Sequence, residues 1–329
     1  MQTGNAMSFA LDSIAEWGKF PRFCVGVYRW GDRFFNTYDT TYVKGTGCKF
    51  NAKITTDSWM DVYNFRLPDN MNIYMHSQPS TSMGVYLTYL AVSVGYDVNF
   101  SKIFGGPDRS RQRLRLGFNC ALFAVEGYMS KNDVGAKMTK FGNLRPNLQF
   151  NGINNRSWGI DMYYFFNNKR YSEAAAFNYS RVQMRSQGSW LAGVSIYAQK
   201  LDFDFGTLPE SMLQVLPTYW ENYHYKVDTN NYALRLGYGY NWVFHRDWLL
   251  GVSETPIIGA RKGYINEANR KWSMSAYNRF KLSVVWNHGR WFAGATARFD
   301  AALISNKKTF YAGGTLSGEA AVGYRFNLW

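Results

Sequence analysis

Apolar and polar residues alternate along most of the chain from about residue 46 to the C-terminus. In the clearest run, from Tyr232 to Trp242, nearly every second residue is large and apolar. A period of two places successive side chains on opposite faces of a β-strand. Comparable runs lie at 48–55, 83–89, 92–100, 114–122, 158–166, 190–198, 280–286, 293–303 and 320–328. The pattern therefore predicts an all-β chain.

The composition of the two faces separates a soluble sandwich from a membrane barrel. The polar faces carry Gly, Ser, Asn and Arg between bulky neighbours, as suits a crowded and wet lumen. Many apolar faces end in Tyr or Trp, which is typical of the aromatic girdles that lie about 25 Å apart on outer-membrane barrels. The tryptophans at or near predicted strand ends are Trp158, Trp190, Trp242, Trp248, Trp272, Trp286 and Trp291. We therefore predict an antiparallel transmembrane β-barrel.

The connections between the predicted strands differ in length. Residues 186–189, 244–247 and 287–290 have the composition of tight turns, whereas 125–155, 201–230 and 259–270 are long. Short turns at one end and long loops at the other are typical of membrane barrels. About thirteen segments qualify as strands, and single-chain bacterial barrels have even strand numbers. We expect twelve strands, with fourteen as the alternative, although 125–155 then falls on the short-turn side.

The two ends of the chain differ from the middle. Residues 1–45 are predicted to be an N-terminal extension with a short helix from Ser8 to Trp17, and residues 46–329 to form the barrel. The first residues lack the basic and apolar regions of a signal peptide, so an exported protein would be numbered here as a trimmed chain. The last strand carries Phe326 and Trp329. This aromatic ending resembles the C-terminal signal that the barrel-assembly machinery reads.

Composition excludes several classes of protein. Hydrophobic residues make up 46% and charged residues 18% of the chain, the mean hydropathy is −0.35, and no apolar run reaches the length of a membrane-spanning helix. The three cysteines show neither a disulfide framework nor zinc spacing. The four histidines lie off the predicted outward faces, where a lipid hydrolase would need a Ser/His pair. We therefore expect no metal, no cofactor and no enzymatic activity.

The net charge of +14 gives the clearest indication of what the lumen could bind or select. Eleven basic and four acidic residues fall on predicted inward faces: Lys49, Lys53, Asp97, Arg113, Arg115, Asp161, Arg181, Arg185, Arg235, Arg279, Lys281, Arg298, Asp300, Glu319 and Arg325. Such a bias suits an anion-preferring path. The alternative is an ion-paired filling that stiffens a narrow barrel, which we favour because about twelve strands leave little room.

A second basic set is predicted on the loops. It comprises Arg109, Arg111, Lys169, Arg170, Arg261, Lys262, Arg270, Lys271, Lys307 and Lys308. Arg and Lys suit phosphate groups, so these residues are expected to contact outer-membrane lipid and the phosphates of lipopolysaccharide. Ordinary solvated loops are the alternative. The charge would also fit a nucleic-acid partner, but the alternating strands with aromatic ends argue against one.

Three stretches carry a resemblance to a known family. Residues 35–43, 79–85 and 163–172, the last leading into 174–178, resemble a domain-of-unknown-function family of Gram-negative outer-membrane proteins. The resemblance implies a barrel in the outer membrane and no established activity. We expect a structural or accessory barrel that contacts other envelope proteins. The alternatives are a pore or carrier for small anionic solutes and an enzyme acting on lipid or lipopolysaccharide.

Overall fold

The computed structural model describes residues 18, 22, 37–67, 71–99, 111–216, 223–265, 271–305 and 310–327. The strands of this part of the chain are β1 (Val43–Gly45), β2 (Phe50–Arg66), β3 (Asn72–Ser77), β4 (Ser80–Tyr89), β5 (Val92–Asn99), β6 (Arg111–Asn119), β7 (Phe123–Asn132), β8 (Ala136–Phe141), β9 (Leu148–Phe150), β10 (Ile153–Phe165), β11 (Arg181–Gln183), β12 (Gln187–Asp204), β13 (His224–His245), β14 (Trp248–Ile265), β15 (Lys271–His288), β16 (Trp291–Ser305) and β17 (Phe310–Phe326).

Twelve of these strands close into one antiparallel barrel. The order around the wall is β2, β4, β5, β6, β7, β10, β12, β13, β14, β15, β16 and β17, and β17 pairs back with β2. The closing seam runs from Phe50 opposite Phe326 to Arg66 opposite Phe310. The prediction of twelve strands is thus confirmed, and the alternative of fourteen is wrong.

The outer face of the barrel is apolar, as the alternation predicts. Ile54, Val85 and Leu236 expose 59%, 66% and 60% of their surface, although all three lie in the middle of strands. Their neighbours in sequence point inward and are buried, as Lys53 and Thr55 illustrate on either side of Ile54. Exposed apolar residues on so many strands form the continuous band that a barrel presents to lipid.

The connections fall into two groups, one at each end of the barrel. At the turn end, residues 90–91, 120–122, 246–247 and 289–290 form tight connections. All the longer connections but one lie at the other end, which we call the loop end. Residues 125–155 are not one connection, because β7 and β10 occupy both of its ends; only 133–152 form a connection, and it lies at the loop end. Residues 187–189, expected in a turn, begin β12.

An apolar cap closes the loop end. Strands β3, β8 and β9 extend the sheet beyond β2, and a single-turn helix α1 (Glu210–Leu213) lies in the connection between β12 and β13. Phe65, Phe203 and Phe205 form the aromatic centre, and the rings of Phe65 and Phe203 meet edge to face at 5.0 Å. The inward residues of the barrel strands at the loop end are apolar rather than polar, because they pack against the cap instead of against water.

The turn end is closed by the one long connection on that side, residues 166–186, which we call the plug. It contains a π-helical turn, Ala174–Asn178, whose three alanines are buried. Gly251 makes room for it, since a Cβ there would lie 2.6 Å from the Cβ of Ala176. Gly294 does the same for the ring of Tyr179, which stacks on Phe292. Small residues on both sides let the plug lie against the inner wall.

The N-terminal segment is joined to the plug. Strand β1 pairs with β11 of the plug, and Gln183 Nε2 donates to the carbonyl oxygens of Tyr42 and Arg170. The extension predicted for residues 1–45 therefore ends in a strand that precedes the first barrel strand at Phe50. The helix predicted from Ser8 to Trp17 lies outside the described residues. No helix in the described ranges is both long and apolar enough to cross a membrane.

Candidate functional site: the enclosed lumen

The cap and the plug enclose a polar lumen between them. It contains two cavities of about 370 and 200 Å³, which share Asp61, Tyr128, Asp161 and Arg279 among their lining residues. The wall on all sides consists of the inward faces of the barrel strands. Ten of the fifteen charged residues predicted to face inward line these cavities, so this is the part of the lumen where a binding or selectivity site would lie.

Asp161 lies at the centre of the first charged cluster. Its Oδ2 is 3.0 Å from an Nη1 of both Arg235 and Arg279, and its Oδ1 accepts a hydrogen bond from Ser195 at 2.6 Å. Arg279 also donates to Asp300 at 2.7 Å. The cluster thus joins β10, β12, β13, β15 and β16 across the lumen. Arg279 donates a hydrogen bond to Asp161, whereas Arg235 contacts it as an ion pair without hydrogen-bond geometry. Removing Asp161 would leave the buried charge of Arg235 uncompensated.

Glu319 lies at the centre of the second cluster. Its two carboxylate oxygens contact Lys53 Nζ and Arg115 Nη1, each at 3.3 Å. Arg115 also reaches Asp97 at 3.0 Å, and Asp97 accepts a hydrogen bond from the Tyr86 hydroxyl at 2.7 Å. This cluster connects β17 with β2, β4, β5 and β6. The two clusters together stiffen opposite sides of the barrel.

Polar contacts hold the plug to the wall. Lys281 of β15 donates to Glu173, and its ammonium group lies over the ring of Phe177. Arg325 of β17 donates to the carbonyl oxygen of Tyr179 at 2.7 Å. Burial raises the pKa of the Tyr179 hydroxyl, so that side chain stays neutral in the plug. Among the described residues, an ion pair and several hydrogen bonds to its backbone and side chains therefore fix the plug to the wall.

The lumen is balanced in charge rather than positive. Among the described lining residues of the two cavities, seven are basic and seven are acidic. Sequence reasoning missed the acidic residues Asp57, Asp61, Glu126 and Glu173. The first three continue the alternation of β2 and β7 and could have been found that way, whereas Glu173 lies in the plug, which has no strand period. The predicted excess of eleven basic over four acidic residues is wrong for these cavities.

Several predicted lumen residues lie away from the two cavities. Lys49 precedes β2 at the turn end, and Arg181 belongs to β11 of the plug. Arg185 is exposed in the same connection, with its guanidinium 5.7 Å from the ring centre of Tyr42. Arg325 is buried at the floor under the plug. Alternation assigned Lys49, Arg181 and Arg185 to the lumen because it cannot distinguish a strand from a folded connection, whereas Arg325 does face inward from β17.

The predicted loop-borne basic set is dispersed. Arg261 is 1% exposed and points inward, and Lys169 and Arg170 lie at the turn end. Arg109, Arg270, Lys307 and Lys308 lie outside the described residues. A different basic group lies on the outer face near the loop end, where Lys131 pairs with Arg156 and Arg156 with Lys200 across neighbouring strands. We call it the basic rim: Arg66, Lys131, Arg156, Lys200, Lys226 and Lys262.

The histidines lie apart from the lumen and from the middle of the wall. His224, His245 and His288 are terminal residues of strands, and His76 lies in β3 beyond the barrel. His224 contacts Asp202 at 2.8 Å, and His288 contacts Asp247 at 3.2 Å. The described part of the chain holds no group of three His, Cys, Asp or Glu side chains arranged to bind a metal ion.

A closed antiparallel barrel with an apolar band, aromatic residues at both margins, and tight turns at one end defines a transmembrane β-barrel of the outer-membrane type. Within that class, the chain belongs to the family described as Domain of unknown function (DUF4421), whose model matches residues 37–326. The resemblance found in the sequence is thereby confirmed.

Comparison with other proteins adds three solved structures to which the chain is similar. The translocator domain of the autotransporter NalP from Neisseria meningitidis is 11% identical with a TM-score of 0.40, and covers 84% of this chain and 88% of its own. The P. putida toluene transporter TodX is 7% identical with a TM-score of 0.32, covering 85% and 91%. The outer membrane protease OmpT from Escherichia coli is 8% identical with a TM-score of 0.33, covering 84% and 96%. No curated protein sequence matches the chain.

Proposed function

We propose that the protein is a barrel of the outer membrane of a Gram-negative bacterium that lets no solute pass, with a structural or accessory role in a complex of envelope proteins. The observation that carries this proposal is the closure of the lumen at both ends. Phe65 and Phe203 are fully buried in the cap, and Ala175 and Ala176 are fully buried in the plug. A barrel built to conduct would need an open passage at both places.

The charge balance of the lumen supports the same role. Seven basic residues facing seven acidic ones in the cavities can satisfy one another and leave no net charge to attract an anion. Such a network favours a stiff wall over a selective path. A stiff barrel that passes nothing acts through its outer surface, and contacts with lipid and with other proteins are then its means of function.

We propose that the loop end is extracellular, and the basic rim supports this orientation. Its residues face outward at the loop end, just beyond the apolar band, and Lys200 remains 71% exposed although it contacts Asp228. Long loops of outer-membrane barrels are extracellular. The rim would then meet the phosphates of lipopolysaccharide, for which Arg and Lys are suited. The C-terminal strand would be the part recognised by the barrel-assembly machinery.

Conductance in planar bilayers tests the closed state. Purified wild-type protein is expected to insert without steady conductance. A variant with residues 168–185, 133–152 and 206–216 each replaced by a short Gly/Ser turn would lack the plug, strands β8 and β9 and helix α1 of the cap, and it should conduct if it folds. This variant shows that an opened barrel is detectable. Steady anion-selective channels from the wild type would overturn the proposal.

The runner-up is a carrier for small anionic solutes, and the two cavities favour it. The larger one, about 370 Å³, has room for a small solute beside Arg113 and Arg298. Transport would require the plug to leave, and the ion pair that joins it to the barrel wall, Lys281 with Glu173, is the contact to break. If this role holds, Lys281→Met should raise solute flux into vesicles. Unchanged flux would remove the carrier from consideration.

We propose a role without catalysis. The histidines at strand ends lie far from the middle of the lipid-facing wall, where a hydrolase acting on membrane lipid would need its base. Incubation of the purified barrel with lipopolysaccharide and phospholipid, followed by mass spectrometry of the lipids, tests this directly. Any catalytic release of acyl chains or phosphate would overturn it.

A further inference from the structure

A carboxyl group interrupts the apolar pattern of the outer wall, which is broken elsewhere, within β2 and β4, by hydroxyl residues such as Ser58 and Thr81. Glu254 of β14 pairs with Tyr238 on one side and with Phe280 on the other, and Tyr238 faces outward with 42% exposure. Glu254 therefore faces outward as well. Its carboxyl oxygen accepts a hydrogen bond from the amide of Asn278 at 2.6 Å. Asn278 lies on the outward face of β15, opposite Pro256.

This polar pair lies deep in the apolar band. Glu254 is six residues from Trp248 at the turn end and eight from Lys262 of the basic rim. Six residues of a strand tilted by about 40° span roughly 15 Å along the membrane normal, against an apolar band of about 25 Å. The carboxyl group is thus close to the middle of the band. An ionisable group at that depth is rare and marks a functional contact by default.

The pair has unused hydrogen-bonding capacity. The Oδ1 atom of Asn278 is buried and has no hydrogen-bond partner, and its amide has a second N–H. The ladder between β13 and β14 is also interrupted beside the pair, at Leu236–Gly237 opposite Thr255–Pro256. Pro256 has no N–H to donate, so it contributes to this break. Lipid tails can satisfy none of these groups.

The wall beside the pair is thin. Apart from the paired Phe299 and Leu316, the outward residues of β16 and β17 at mid-strand are Ala or Gly: Ala295, Ala297, Ala301, Gly314, Gly318 and Ala320. On the other side of the barrel the outward residues are bulky, as at Val85, Leu116 and Ile160. Small residues allow the backbone of another transmembrane element to approach closely. The small-residue wall and the polar pair are adjacent, so one partner could contact both.

We propose that this wall, from β14 to β17, is the contact surface for a second copy of the chain. Two copies in one membrane share their orientation, so a two-fold axis relating them lies along the membrane normal. Each residue then contacts residues at the same depth in the membrane. The pair of Glu254 and Asn278 therefore contacts the same pair of the second copy. The Glu254 carboxylate has a second oxygen and the Asn278 amide a second N–H, so two copies can exchange N–H···O hydrogen bonds across the axis.

The polarity of the remaining wall supports this isologous arrangement. Among the described outward residues of the barrel strands, the basic ones belong to the margins, as Lys131 and Lys200 do. A contact with another face of the same chain would place Glu254 opposite mainly apolar residues, or opposite Ser58 and Thr81, whose hydroxyls already hydrogen-bond to each other at 2.9 Å. This inference rests on the proposed function, since it requires the barrel to be in a membrane and to act through its outer surface.

Fluorescence energy transfer tests the proposal. Protein labelled with a donor dye and protein labelled with an acceptor dye are placed together in lipid vesicles, and the transfer is measured as the lipid-to-protein ratio is raised. The wild type should still show energy transfer between the two labelled copies when the protein is highly diluted in lipid. Glu254→Leu, which suits lipid and should fold, is expected to lower the lipid-to-protein ratio at half-dissociation at least tenfold. Gly318→Leu should do the same by filling the contact wall. A Cβ at Gly318 has no atom within 4 Å, so the barrel itself accommodates the change.

Gly127→Leu is the matched control. Gly127 faces lipid on the opposite side of the barrel, between Leu116 and Ile160, and a Cβ there meets Leu116 only at an ordinary 3.8 Å. It should dissociate as the wild type does. Equal effects of Gly318→Leu and Gly127→Leu, or a wild type that inserts as a monomer at every ratio, would overturn the dimer and leave the closed barrel standing. Failure to insert into vesicles would overturn the proposed function itself.

Discussion

Asp161→Asn is the substitution that tests the charged lumen most directly. Asparagine keeps the shape of the side chain and its hydrogen bond to Ser195, but it removes the negative charge shared by Arg235 and Arg279. The side chain of Arg235 is 2% exposed and has no other acidic contact among the described residues. The variant therefore leaves one arginine buried without a counter-charge.

The size of the effect follows from what each arginine retains. Arg279 keeps its hydrogen bond to Asp300 at 2.7 Å, so its loss is partial. Arg235 keeps only the face of Tyr163, 4.9 Å from its guanidinium carbon. Breaking a buried pair by removing one partner costs about 3–5 kcal/mol. With one arginine still paired we expect the lower end, about 3 kcal/mol, or roughly a hundredfold in the folding equilibrium.

Denaturant unfolding in lipid vesicles, followed by tryptophan fluorescence, measures this loss. Asp228→Asn is the matched control, because Asp228 contacts Lys200 at 3.1 Å with both side chains more than half exposed. An exposed pair contributes less than about 1 kcal/mol, so the control should unfold nearly as the wild type does. Equal losses in the two variants would refute the view that the lumen network stiffens the barrel.

Three further outcomes are expected. Leu236→Arg, on the outward face at mid-strand, should destabilise the barrel by about 2–4 kcal/mol, and wild-type-like folding in lipid would show that the faces are reversed. Deleting residues 326–329 should sharply reduce the yield of heat-modifiable barrel, because Phe326 stacks on Phe50 at 5.4 Å across the closing seam; a normal yield would count against an assembly signal there. Gly294→Leu should cost about 1–3 kcal/mol in a denaturant titration by displacing the Tyr179 ring, whereas Gly127→Leu should leave stability unchanged, and equal values would mean that the plug is not held against that wall.

The sequence predicts the barrel wall well because its signal is local. Every strand that faces lipid on one side and water on the other must alternate between apolar and polar residues. The outward direction of residues such as Ile54 and Leu236 can therefore be predicted from their immediate neighbours in the sequence. The tight connections at 244–247 and 287–290 are equally local. The twelve-strand count required only that the segments be found and that their number be even.

The contents of the lumen are not predictable in the same way. Towards the loop end, the inward face of β2 carries Asp61 between Trp59 and Tyr63, a mixture that matches neither a wet lumen nor a dry core. The mixture arises because the strand passes from the polar lumen into the apolar cap. Glu173 has no period to reveal it, since its position depends on how the plug folds back. Both are consequences of tertiary packing.

The anchoring of the plug constrains the order in which the molecule can be assembled. The plug forms between β10 and β12, yet the guanidinium that holds the carbonyl of Tyr179 belongs to Arg325 in the last strand. The wall around it is completed only when β17 pairs with β2, 17 residue pairs in all. The contact between Arg325 and Tyr179 can form only once β17 is in place, so final anchoring of the plug is coupled to closure of the wall.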